Sequence, residues 1–231
     1  AQKHFEDAIA ADPSFVLAQR NLGQLFSSQG KVDDAVRQYR EAGEWGDGPS
    51  WLAAAQLLAN AGRLEEAMEA CDYAIDRGER GTGVWTLRGY LLIGAKKLDE
   101  AEKSLTNAIS LDPTNARARQ HLGVVSLQLG KLDTARLQFA WAASLDPRVA
   151  DDVEKLVEAS NGEDPILLDI SAACLSEVEK FGVACRRIEA ALILAARQGR
   201  VDLVPGMQAR LRAYVSDRRY LEFALTQLPS K

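Results

Sequence analysis

The sequence predicts an all-α protein built as a solenoid of stacked antiparallel helix pairs, and three observations predict it. Ala35, Ala67, Ala101 and Ala135 recur at spacings of 32, 34 and 34 residues. Each follows the same turn signal: Gly30-Lys-Val-Asp-Asp, Gly62-Arg-Leu-Glu-Glu, Lys96-Lys-Leu-Asp-Glu and Gly130-Lys-Leu-Asp-Thr. Around each alanine, apolar residues fall at i, i+3, i+4 and i+7, one face of a helix. Self-similarity at such a period marks repeat units that bury their apolar faces only by stacking on neighbours.

The elements follow in order. The chain begins inside a unit, because Ala1, Phe5, Ala8 and Pro13 match the second helix of a repeat. A lone second helix cannot bury its face, so further repeats are expected to precede it. Four full repeats are expected at 16–47, 48–81, 82–115 and 116–149. Their first helices carry Leu22, Gly23 and Phe26; then Trp51, Ala54, Ala55 and Leu58; then Trp85, Gly89 and Leu92; then Leu122 and Gly123. Their second helices carry Ala35, Tyr39 and Ala42; then Ala67, Cys71 and Ala74; then Ala101, Leu105 and Ala108; then Ala135, Phe139 and Ala142. Glycine inside a helix costs roughly 1 kcal/mol against alanine. Three glycines at one repeat position therefore imply close packing between the paired helices. The breaker-rich loop Trp45-Gly-Asp-Gly-Pro49 shortens the first full repeat and is expected to alter the local angle.

Beyond residue 149 the pattern fades, but Gly199 lies 69 residues after Gly130, close to two periods, with Val204 in the alanine slot. Residues 150–231 are therefore expected to form two degenerate helix pairs, 150–184 and 185–216, and a capping helix from Asp217 to Leu228. A break at Asn161-Gly162 and a restart at Asp164-Pro165 belong to the first of these. A separate helical domain over 150–231 is the other reading.

The 34-residue pattern of residues 1–149 resembles the tetratricopeptide repeat family, W-x2-L-G-x2-Y followed by A-x3-F-x2-A and then Pro, here at Pro113 and Pro147. The resemblance implies a right-handed superhelical solenoid whose concave groove is lined by the first helices. Mapped onto this chain, the partner-binding residues are Arg20, Asn21 and Gln24; Gln56 and Asn60; Thr86 and Tyr90; and Arg117, Gln120, His121, Val124 and Gln128. Leu17, Ser28, Leu52, Ala53, Leu87 and Ile93 complete that face. Amides dominate it, and an amide can pair with both the N–H and the C=O of a peptide backbone. The clamp by which family members hold acidic chaperone tails needs Lys and Asn at set positions. Here those positions hold Arg20, Gln24 and Ala53, then Thr86, Tyr90 and His121, so that ligand is disfavoured.

Net charge is −5, with −10 over residues 1–180 and +5 over 181–231. The acidic array disfavours nucleic acid, whose binding rests on neutralising phosphates. Eight arginines at the basic end (Arg186, Arg187, Arg197, Arg200, Arg210, Arg212, Arg218 and Arg219) could meet an acidic partner or be solvated and paired. No apolar run reaches the length of a membrane span. Cys71 sits in a core slot, and Cys174 and Cys185 lie on apolar stretches, either unpaired or joined to each other. Free thiols lean weakly toward a reducing, cytoplasmic setting. Neither metal-ligand spacing nor a hydrolase, zincin, nucleotide or dinucleotide motif occurs, so no cofactor, small-molecule substrate or catalytic residue is expected. The expected function is a non-catalytic scaffold holding a peptide or helix of a partner protein. The alternative is self-association through the repeat ends, and an RNA-binding helical repeat ranks below it.

Overall fold

A computed structural model describes residues 1–226 as 14 helices, with no strand among them. Contacts divide the chain into two compact units, Ala1–Asp112 and Pro113–Lys231.

The first unit holds α1 (Gln2–Ala11), α2 (Val16–Ser28), α3 (Val32–Glu44), α4 (Gly48–Asn60), α5 (Leu64–Asp76), α6 (Thr82–Gly94) and α7 (Leu98–Leu111). Helices pair closely as α2 with α3, α4 with α5, and α6 with α7. The glycines explain the closeness. A Cβ built on Gly23 would lie 2.9 Å from the Tyr39 ring, and one on Gly89 would lie 2.5 Å from Leu105 Cγ. Both are well inside the 3.5–4.0 Å of ordinary carbon contact, so the large side chain of the second helix fills the space that glycine leaves. At the corresponding place in the middle pair stand Ala55 and Cys71, both fully buried. The alanines receive the same contact from the other side; Ala35, Ala67 and Ala101 have no exposed surface.

The second helices start without a side-chain cap at Lys31, Arg63 or Lys97. Asp33/Asp34, Glu65/Glu66 and Asp99/Glu100 sit in their first turns, where a carboxylate complements the positive helix end. The turns before them need a left-handed residue. Gly30 and Gly62 provide it at φ +74° and +77°, whereas Lys96 adopts φ +59° in the same slot. In the Trp45–Pro49 loop, Gly46 also turns left-handed and Trp45 is left 58% exposed. Arg77 braces this corner, donating to the carbonyls of Gly43 and Glu44 and pairing with the Glu44 carboxylate.

The second unit holds α8 (Ala116–Gln128), α9 (Leu132–Leu145), α10 (Arg148–Ala159), α11 (Pro165–Glu177), α12 (Phe181–Arg197), α13 (Val204–Val215) and α14 (Tyr220–Thr226). The pair α8/α9 repeats the glycine rule: a Cβ built on Gly123 would lie 2.7 Å from Phe139 Cδ2. The helix break occurs as expected at Asn161-Gly162, both left-handed. Asp164 then caps the N–H groups of Ile166 and Leu167.

The pairing after α9 differs from the expected one. Residues 150–184 were to pair α10 with α11, but α11 makes its closest pairing with α12 and also packs along α9. The reason is side-chain size. Ala172, Ala173 and Ser176 on α11 and Ala184, Ala191 and Ala195 on α12 are small and buried, which lets these two helices approach. The whole of Leu168–Glu177 is buried as a result. Helix α10 rests beside this pair, held by Glu154, which accepts from the Ser171 hydroxyl and pairs with Arg187.

Gly199 turns left-handed at φ +71° between α12 and α13, and Val204 opens α13 half-buried against the core. In α14 the side chains of Tyr220 and Leu221 are buried. Its first N–H groups donate to Ser176 Oγ at 3.0 Å and Glu177 Oε1 at 2.7 Å. The expected capping helix ran to Leu228, and its last two residues lie outside the described residues.

A charged cluster lies inside this unit. Asp169 on α11 is 0% exposed and accepts from Arg136 on α9 and Arg210 on α13. Arg136 Nη2 stands 2.7 Å from Asp169 Oδ2, and Arg210 grips both carboxylate oxygens at 2.6 and 2.8 Å. The carboxylate thus ties α9, α11 and α13, and Arg136, which also reaches Asp133 and the Tyr220 hydroxyl, adds α14.

Candidate functional site

In the first unit the residues of the expected groove lie on the outer strip of α2, α4 and α6. The opposite strip of each helix is in the core: Leu22 and Phe26, Trp51 and Leu58, Val84 and Leu92. Gln24, Gln56, Asn60 and Tyr90 are exposed; Arg20 and Asn21 are half-buried. The side chains of Asn21, Gln24, Gln56 and Asn60 make no hydrogen bond among the described residues, so four amides stand ready for another backbone. Leu17 is 47% and Tyr90 51% exposed, an apolar and an amphipathic anchor beside those amides. Arg20 leans toward Asp47 at 3.4 Å, which offsets the one cation on the face. Thr86 differs from expectation. It is 7% exposed and its hydroxyl donates to the Thr82 carbonyl, so it is packed away rather than offered to a ligand.

In the second unit the expected residues lie on α8, and α10 stands over them. The Nε2 of Gln120 donates to Asp152 Oδ2 on α10 at 3.2 Å. Val124 packs against the core formed by Phe139, Val153 and Ile170. Arg117 and Gln128 are exposed, and His121 is half-buried. Burial first, and then the Arg117 charge, lowers the His121 pKa to about 4, so its imidazole is neutral near neutral pH. Between α8 and α10 an open cleft of about 430 Å³ is lined by Arg117, Gln120, Asp151, Asp152 and Lys155 among others. Its charges alternate: Arg148 pairs with Asp146 at 2.8 Å and Lys155 with Asp152 at 2.9 Å. The hydrogen bond from Lys155, and then that from Gln120, hold the Asp152 carboxyl below its ordinary pKa. Sequence reasoning did not place α10 here, because its residues repeat no earlier pattern. The run Asp151-Asp152 with Lys155 one turn on was the available signal.

Burial raises the Cys71 thiol to about 12 and that of Cys174 higher still. All three cysteines are free. Among the described residues no group of three or more His, Cys, Asp or Glu could hold a metal, and no helix is long and apolar enough to cross a membrane.

Paired helices that bury a repeating spine and turn irregular polar residues outward define a helical-repeat interaction module. Residues 1–49 and 92–157 each match a family model described as tetratricopeptide repeat, and the chain belongs to that family. No curated protein matches the chain. Among solved structures it is similar to YrrB, described as a TPR protein with an unusual peptide-binding site. That match has 20% identity and a TM-score of 0.61, over 87% of this chain and 100% of that one. It is also similar to MamA 41-end from Desulfovibrio magneticus RS-1, at 18% identity and a TM-score of 0.55, over 79% of this chain and 96% of that one. A third is PilF of Pseudomonas aeruginosa, at 21% identity and a TM-score of 0.53, over 94% of this chain and 97% of that one. At these identities the likeness is one of fold.

Proposed function

We propose that this protein is a non-catalytic scaffold that holds a peptide or helix of a partner protein against the first helices of its repeats. The observation that carries the reading is the set of unbonded amides Asn21, Gln24, Gln56 and Asn60 on one strip with exposed Leu17 and Tyr90. Amides read the partner's backbone by hydrogen bonding, and the leucine and tyrosine take its apolar side chains. Tyrosine is among the residue types that carry most binding energy at interfaces. The α8–α10 cleft, with Arg117 and Gln120 on its α8 side, is a second contact in the same reading. That YrrB is described as having a peptide-binding site supports a peptide ligand for this fold.

The experiment places a photo-crosslinking residue at Gln56 or Tyr90, with a control at exposed Lys103 on the second helix α7. A protein trapped from the native lysate at the first two and not at Lys103 is then purified. Its affinity is measured against the variant Asn21→Ala, Gln24→Ala, Gln56→Ala, Tyr90→Ala. The expected result is an unchanged fold by circular dichroism and at least a tenfold weaker Kd. Equal affinity in that variant refutes the reading.

A further inference from the structure

The basic end of the chain is divided by the structure into used and unused charge. Arg187 pairs with Glu154, Arg200 with Asp202, Arg210 with Asp169 and Arg219 with Glu179. Arg212 and Arg218, both exposed, make no ion pair and no side-chain hydrogen bond among the described residues. These two line one open cleft of about 330 Å³, with Phe223, Ala209 and Ala213 as its apolar wall. Among the described residues no acidic one lines it. Three other clefts mix both signs: Asp33 and Glu41 with Arg37 and Arg40, Asp151 and Asp152 with Arg117 and Lys155, and Glu179 with Lys180.

Asp217 directly precedes Arg218 and Glu222 follows it by four residues, and neither lines the cleft. Asp217 acts on Cys185 of α12, whose thiol is raised by burial first and by the charges of Glu189 and Asp217 after it. Glu222 acts on Glu177 and Arg219, on the α11 side of α14. An arginine fork opposite a carboxylate gives two parallel charge-assisted hydrogen bonds, and here two forks border one apolar wall with no acidic residue among its described lining.

We propose that this cleft docks an acidic segment of a partner protein, its carboxylates on Arg212 and Arg218 and an apolar side chain against Phe223. Charge complementarity carries the choice of occupant, since a neutral or basic segment would leave both guanidiniums unanswered. The site is separate from the first-helix strip, so each can fail without the other.

The test uses the whole chain and a fluorescein-labelled hexapeptide of alternating glutamate and leucine, followed by anisotropy. The expected result is saturable binding at about 0.02 M salt that weakens at about 0.3 M as the screening length shortens. The glutamine–leucine version of the peptide should bind at least tenfold more weakly. Arg212→Glu with Arg218→Glu should abolish binding, and Arg212→Gln with Arg218→Gln should reduce it at least tenfold. Both pairs are exposed, so their melting midpoints should match that of the parent. The control Arg186→Glu with Arg197→Glu should bind as the parent does. Equal binding of the neutral peptide, or retention in the Arg212/Arg218 variants, overturns the proposal. So does light scattering that shows self-association removed by those variants, because the occupant is then a second copy of the chain.

Discussion

Replacing Gly123 tests whether the spine of this protein is the steric fit described above. A Cβ at Gly123 would stand 2.7, 2.8 and 3.0 Å from Phe139 Cδ2, Cε2 and Cγ. Ordinary contact begins near 3.5 Å, so a single methyl intrudes by roughly 0.5–0.8 Å on three ring atoms. Phe139 is 1% exposed and cannot swing into solvent. Overpacking of this kind costs about 1–3 kcal/mol, while alanine in place of helical glycine returns about 1 kcal/mol of propensity. The net effect of Gly123→Ala is therefore a loss of about 0–2 kcal/mol, too blunt to be decisive alone. A double-mutant cycle isolates the steric part, because the propensity gain cancels. The background is Phe139→Cys, which reproduces the Ala55 and Cys71 combination of the second full repeat. There the same Gly123→Ala change should stabilise, by about 1 kcal/mol. The coupling read from urea midpoints should be about 1–3 kcal/mol, and Gly123→Leu should destabilise further still. A coupling under about 0.5 kcal/mol, the usual scatter of independent sites, would refute the packing argument.

Three other outcomes are expected. Lys96→Gly should raise stability by up to about 1 kcal/mol, since an L side chain in the left-handed region costs about 1–2 kcal/mol and glycine's freedom in the unfolded chain returns part of it; a lowered melting midpoint counts against this. Asp169→Asn leaves two buried guanidiniums without a full counter-charge and should cost about 3–5 kcal/mol by chemical denaturation, whereas a loss below about 1 kcal/mol would mean the cluster is not the tie it resembles. The His121 imidazole should titrate by NMR near pH 4 rather than near 6.5. Its folded pKa lies below its unfolded one, so its contribution to stability is whole above about pH 6.5 and is lost as pH falls toward 4; a midpoint at 6 or higher would show the ring to be solvated.

The repeat series was legible because it is local and periodic. Gly23, Gly89 and Gly123 each precede their large partner by 16 residues, and that offset is written in the chain as plainly as the turn glycines are. The candidate strip was legible in the same way, since the repeat register places Gln24, Gln56 and Tyr90 opposite the buried spine. Thr86 shows the limit. Register gave its helix face, but its burial comes from neighbours that do not repeat. Gln120 shows it again, for its partner Asp152 belongs to a helix with no counterpart earlier in the chain.

By itself, then, the sequence determined the helices, their turns and the paired packing of residues 16–149, because each depends on residues within one period. Only the tertiary structure decided that α11 pairs with α12, and that half of the basic end is consumed internally. Asp169 meets Arg136 33 residues away and Arg210 41 residues away, and neither separation follows from the repeat. A carboxylate that must leave water takes whichever cations the packed helices bring to it, and that choice is made across the fold rather than along the chain.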